Sequence, residues 1–198
     1  MKTQLIISIK IFAVLTVLCG VVYPLFITGI AQLAFPRQAN GSLIVQDNKV
    51  IGSELIGQKF DQENYFWPRP SATDYSAMPS GGSNLGQTSS KLKQLVADRT
   101  AQWVKFNPTS DPEKIPSEML LASASGLDPH ISPKAALLQV DRIVKTRQLN
   151  DNQKQQLVKS IHDLSESPQF LFLGDERINV LVLNLELNKL DGKSLINK

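Results

Sequence analysis

Ile11 to Phe35 form an uninterrupted run of twenty-five residues without a single Asp, Glu, Lys or Arg. As a helix rising 1.5 Å per residue, that run is about 37 Å long, enough to cross a hydrocarbon core of about 30 Å with some tilt. A cleaved secretory signal fits it poorly. Such signals have an apolar core of about 7 to 15 residues followed by a small-x-small cleavage site, whereas this run ends Ala31-Gln32-Leu33-Ala34-Phe35-Pro36. A lipoprotein signal on Cys19 fails as well, because Leu18 stands where a small residue is needed. The expectation is one uncleaved membrane-spanning helix over residues 11–35. Lys2 and Lys10 on a very short leading tail, opposed only by Arg37 and the more distant Lys49, put residues 1–10 in the cytoplasm by the positive-inside rule. Residues 36–198 are then extracytoplasmic, which in a bacterial cell is the periplasmic side of the inner membrane. Cys19, the one cysteine, lies inside the span, so the exported part has no disulfide.

Lipid-facing positions need only apolar side chains, so Gly20, Tyr23, Pro24, Thr28, Gly29 and Gln32 are conspicuous. Small and hydroxyl residues allow close helix approach and bonding across an interface, which makes Tyr23, Pro24 and Thr28 candidate contacts for a partner helix. The alternative is a lone anchor in which Thr28 bonds its own backbone and Pro24 kinks the helix.

The remaining residues suffice for one domain with a modest core. Without Lys2 and Lys10 the chain has 19 basic and 18 acidic residues. The sequence pI near 9.0 therefore gives no footprint for nucleic acid. Ser42 to Val45 and Lys49 to Ile51 flank Gln46-Asp47-Asn48 as a hairpin. Phe60 to Gly86 is a long loop crowded with Pro, Gly, Ser and Asn, in which Phe60, Tyr65, Phe66, Trp67 and Tyr75 argue for order. Helices are expected from a Ser89 or Ser90 cap towards Trp103, from Ser132-Pro133, and from about Asp151. The alternation of Leu181, Leu183, Leu185 and Leu187 predicts a strand over Ile178 to Leu187. The fold class is a single N-terminal transmembrane helix plus a mixed α+β extracytoplasmic domain.

Signals for chemistry are weak. Gly82 and Gly86 have neither P-loop nor dinucleotide-loop spacing, and Gln87-Thr88-Ser89 offers no lysine for a phosphate. Ser123 and Ser125 lack the glycine that a hydrolase elbow places two positions before its serine. Ser90-Lys91-Leu92-Lys93 satisfies S-x-x-K without companion motifs. His130 and His162 have no ligand spacing, so neither a catalytic set nor a metal site is expected. Asp128-Pro129 reads as a turn whose carboxylate caps local N–H groups.

Seven blocks carry something more specific. Tyr23-Pro24-Leu25, Gln38-Ala39-Asn40-Gly41-Ser42, Gly52-Ser53-Glu54-Leu55-Ile56-Gly57-Gln58 and Phe66-Trp67-Pro68-Arg69-Pro70-Ser71-Ala72 come first. Ser80-Gly81-Gly82-Ser83-Asn84-Leu85-Gly86 follows, then Ala122 to Ser132 containing Gly126-Leu127-Asp128-Pro129-His130, and finally Asn179-Val180-Leu181 with Asn184-Leu185. In this order, over roughly residues 10 to 190, the chain resembles the C-subunit family of the Kdp potassium-transporting ATPases. Gln87 and Leu121 depart from the family's usual Pro and Thr. The resemblance implies a heteromeric pump that transports potassium, with a separate P-type subunit that hydrolyses ATP and a channel-like subunit that admits the ion. The small subunit is implied to assist assembly and to act as a catalytic chaperone, itself non-catalytic, raising the ATP affinity of the hydrolysing subunit. It also implies Ser80, Gly81 and Gly82 as a weak nucleotide-binding loop, although a domain outside the cytoplasm cannot meet cytoplasmic ATP. Docking over the outer potassium entrance makes Trp67, Arg69, Ser83 and Asn84 candidate partner contacts, since Trp and Arg favour interface anchoring. Among Glu54, Asp61 and Asp74 nothing selects a carboxylate for gating. The competing expectation is a membrane-anchored periplasmic binding module or hydrolase acting alone.

Overall fold

Pro24 has no N–H to offer the carbonyl one turn behind it, and the helix widens just ahead of it. In the computed structural model, which describes residues 2–192, α1 (Lys2–Val17) runs into a π-helical turn (Leu18–Val22) and on into α2 (Tyr23–Ala34). The Tyr23 N–H donates to the Leu18 carbonyl five residues back, the bond that defines a π-bulge. The whole helix, Lys2–Ala34, is 33 residues long and apolar enough to cross a membrane, with none of its most apolar stretch buried. Residues 2–10, expected as a tail, are helical too. The Thr28 hydroxyl donates to the Pro24 carbonyl at 2.7 Å, and a short helix, α3 (Pro36–Ala39), follows. The chain divides into two compact units, the first ending at Leu43 and the second beginning at Ile44.

The second unit is a mixed helical domain with two small sheets. The expected hairpin forms as β1 (Leu43–Gln46) and β2 (Lys49–Ser53). Asp47 and Asn48 both take positive φ, the two left-handed positions of the turn that matches strand twist. Two of the expected helices have the cap that the sequence suggests. Ser89 accepts from the Leu92 N–H ahead of α4 (Ser90–Phe106), and Ser132 from Ala135 ahead of α5 (Pro133–Leu137). The run expected as one helix from Ser132 breaks after Leu137 and resumes as α6 (Val140–Arg147). Asn150 and Gln153 form a reciprocal capping box on α7 (Asp151–Asp163).

The strand expected over residues 178–187 is not there. Only Ile178 and Asn179 pair, as β4, antiparallel to β3 (His130–Ile131). The rest is α8 (Val180–Asp191), with Asn179 capping the Leu181 and Val182 N–H groups and Gly192 left-handed at its end. Val180, Leu181, Leu183, Asn184, Leu187 and Asn188 are the buried residues, a helical stripe. The intervening Val182 and Leu185 are also apolar, so the helix carries leucines on more than one side and imitates a strand's alternation.

The core is assembled around a segment with no regular structure. Tyr65, Phe66 and Trp67 are buried, and a buried extended segment must satisfy its backbone groups somewhere. Here side chains replace a neighbouring strand. The Asn184 carboxamide accepts from the Phe66 N–H at 2.8 Å and donates to the Phe66 carbonyl at 3.0 Å. Gln139 does the same for Trp67, at 2.7 and 3.3 Å. Arg142, only 5% exposed, donates to the Glu63 and Tyr65 carbonyls, to Asn107 and to Gln139. Its guanidinium lies 4.2 Å from the centroid of the Trp67 ring. Burial pulls the Arg142 pKa down to about 10, against the pull of Glu63, so the group stays charged near neutral pH. Arg147 bonds the Asn64 carbonyl at 2.7 Å, Asn188 at 2.8 Å and both oxygens of Asp191 at 2.9 to 3.0 Å, with Tyr65 beneath it. Each carbonyl from Glu63 to Trp67 thereby accepts a side-chain donor.

Candidate functional site

Beyond Trp67 the chain returns to the surface, and there four motif-bearing stretches meet. The Pro70 carbonyl accepts from the Ser123 N–H at 3.1 Å, and the Ser71 hydroxyl donates to the Gly126 carbonyl at 2.8 Å. Gly57 joins from the loop after β2, its N–H donating to Leu127 at 2.7 Å. The glycine loop packs on the same place. A Cβ on Gly82 would sit 3.2 Å from the Ala124 carbonyl oxygen. One on Gly126, whose φ is +72°, would come within 2.8 Å of Gly81 and 2.7 Å of Thr73. Both the left-handed backbone and the close approach therefore require glycine at 126.

An ion pair ties the cluster together. Arg69 Nη1 lies 2.7 Å from Asp128, whose other oxygen accepts from the His130 N–H at 3.0 Å and stands 3.6 Å from His130 Nδ1. The expected turn at Asp128 is thus present. Burial alone would raise the Asp128 carboxyl, but the His130 side chain and N–H, together with Arg69, outweigh it and hold the pKa below the ordinary value. Because the folded value is depressed, the pair contributes fully above the unfolded carboxylate pKa of about 3.9 and is lost as pH falls through the lower folded value. The thermal midpoint of the full-length chain in detergent should therefore fall more steeply as the pH drops below about 4 than that of Asp128→Asn. Equal slopes would remove the pair from the account of acid stability.

The candidate residues fall into different situations. Ser83 and Asn84 are exposed, with Asn84 left-handed at φ +52°. Arg69 is half-buried in the ion pair. Trp67 is 9% exposed and is packed edge-on to Trp103 and Phe106, so its ring serves the core beneath the loops. Ser80 is exposed, while Gly81 and Gly82 are half-covered. Ser123 and Ser125 accept from the Gly126 and Leu127 N–H groups, which makes them turn-forming hydroxyls. Ser90 begins α4 with Lys93 one turn on. Among the described residues no group of three His, Cys, Asp or Glu could hold a metal ion. A cleft of about 250 Å³ lined by Trp67, Pro70, Tyr75, Arg99 and Trp103 opens beside the cluster. That is smaller than the roughly 300 to 1,000 Å³ of ordinary small-molecule sites. Burial raises the Tyr75 hydroxyl pKa, and the hydroxyl donates to the Arg69 carbonyl, fixing the loop from within.

Arg142, Arg147 and Gln139 were not singled out in the sequence, and Asn184 only as part of a family motif. For Asn184 a signal exists: with Asn188 it forms an i, i+4 polar pair inside an otherwise apolar run. For the arginines none exists, since a buried guanidinium and an exposed one read alike.

The family model described as the K+-transporting ATPase c chain matches residues 5–189. The potassium-transporting ATPase KdpC subunit of Geotalea uraniireducens is 47% identical over 187 residues, covering 92% of this chain and 96% of that protein. Its namesake in Leptospira interrogans is 44% identical, covering 92% of each. The one in Dechloromonas aromatica is 46% identical over 194 residues, covering 95% and 98%.

Proposed function

The chain belongs to the KdpC family of K+-transporting ATPase subunits, and from that premise we propose that it is a non-catalytic accessory subunit of a potassium-uptake pump, assisting assembly and stimulating ATP hydrolysis. Hydrolysis takes place on a separate P-type subunit, and potassium enters through a channel-like one. The helix spans the bacterial inner membrane with Lys2 and Lys10 on the cytoplasmic side, and packs on the channel-like subunit through Tyr23, Pro24 and Thr28. The domain lies outside the cytoplasm over the potassium entrance, presenting Arg69, Ser83 and Asn84, with Trp67 supporting them from below. ATP is then out of reach of Ser80, Gly81 and Gly82. The domain acts on hydrolysis through differential affinity for one transport conformation.

The observation that carries this reading is the convergence of distant family motifs, around Gly57, Arg69, Gly82 and Asp128, into one hydrogen-bonded surface. Affinity purification of the tagged full-length chain from membranes under potassium limitation should recover a P-type ATPase and a channel-like polypeptide with potassium-dependent hydrolysis. Recovery of the chain alone would favour an anchored binding module. The paired change Ser83→Ala with Asn84→Gly removes both side chains while allowing the left-handed backbone. It should weaken complex formation about tenfold, equivalent to about 1.4 kcal/mol. Unaltered assembly and hydrolysis would move the contact elsewhere.

A further inference from the structure

Phe170, Leu171, Phe172 and Leu173 are 79%, 89%, 76% and 51% exposed, although nothing in the domain's own packing calls for four large apolar side chains in a row. They form the tip of a finger. At its base Glu166 and Arg177 pair through both backbone bonds and through their side chains at 2.8 to 3.0 Å. At its tip the Gln169 and Leu173 N–H groups each donate to the other's carbonyl at 2.9 Å. Leu171 donates to Pro168 and Phe172 to Gln169. Phe170 and Leu171 take φ of +53° and +70°, a conformation that large side chains seldom adopt. The chain thus accepts backbone strain to hold apolar groups outward in water, an arrangement that points to function.

We propose that this finger inserts into the lipid interface of the membrane. Three observations favour lipid over a protein pocket. The tip is apolar without a polar handle. Four of its N–H groups, at 169, 171, 172 and 173, bond within the finger, which lowers the cost of entering an apolar medium. By connectivity, residues 35–42 separate the spanning helix from the first strand, so the domain is tethered within about 30 Å of the bilayer surface. Asp175 and Glu176 follow the tip, so anionic headgroups are disfavoured and a zwitterionic surface is the matching one. The inference rests on the helix being a true span.

The test is a nitroxide at Leu171→Cys in a Cys19→Ala background. The full-length chain, with the polypeptides that copurify with it, is reconstituted in phosphatidylcholine–phosphatidylethanolamine vesicles. Insertion predicts high collision with oxygen and loss of collision with a water-soluble nickel chelate, as at a Val14→Cys reference on the span, while Asp175→Cys stays open to nickel. Free access of nickel at residue 171 overturns the proposal and identifies a water-exposed finger. Shielding from both reagents also overturns it and identifies a protein pocket. Nickel access at residue 14 would instead show that the membrane reading itself fails.

Discussion

Arg142→Leu should destabilise the domain by about 3–5 kcal/mol, because several carbonyl and amide oxygens lose their donor together. The guanidinium supplies four acceptors at once: the Glu63 and Tyr65 carbonyls, Asn107 Oδ1 and Gln139 Oε1. Leucine returns the cost of burying a charge, yet it takes the Arg142 donor from the Glu63 and Tyr65 carbonyls and from Asn107 Oδ1, while Gln139 Oε1 keeps the Trp67 N–H. Each such orphan costs about 1–3 kcal/mol. Against a total stability of about 5–15 kcal/mol, the loss removes much of the folded population, visible as a lowered thermal midpoint of the full-length chain in detergent. Lysine should restore little, because a compact ammonium has three donors and no flat face to lay on Trp67. A loss below about 1 kcal/mol for the leucine variant would show that the bonds contribute little beyond what water provides.

Asn184→Leu should cost about 2–4 kcal/mol, since both the N–H and the carbonyl of Phe66 lose their partner in a fully buried place. Leucine approximates asparagine's shape, so the loss reports the two bonds more than a cavity. Gln139→Leu should behave similarly through Trp67 and should also release the Arg142 bond. Both amides hold one short segment, so the double variant should fall short of the sum by at least 0.5 kcal/mol. Strict additivity would mean that Phe66 and Trp67 detach independently.

Arg142, Arg147, Gln139 and Asn184 mark where the sequence stops being readable. Two helix starts were legible because Ser89 and Ser132 act within three residues of themselves, and the hairpin was legible because Asp47 and Asn48 tolerate the backbone that its turn needs. The order of the 60–86 loop was legible from its aromatics. What holds them was not: the partner of Phe66 lies 118 residues away, and no local pattern reports a contact at that distance. The 178–187 segment misled for a related reason. Leucine at every second position satisfies a strand's period, while the helix is declared by Asn179 ahead of it, Gly192 after it and the Asn184–Asn188 pair. The convergence of Arg69, Gly82 and Asp128 was likewise a product of tertiary packing, although each motif was visible separately.

The clamped segment also has a consequence in time. A ribosome releases residues 63–67 long before residues 139, 142, 147 and 184, which bond them. Until α8 exists, the Phe66 amide and carbonyl have no partner in the protein, and the neighbouring aromatics have no core to enter. Closure over such sequence separations is slow compared with local helix formation. The domain therefore completes its interior only after α8 has been made, and residues 63–67 remain open to proteases and chaperones until then.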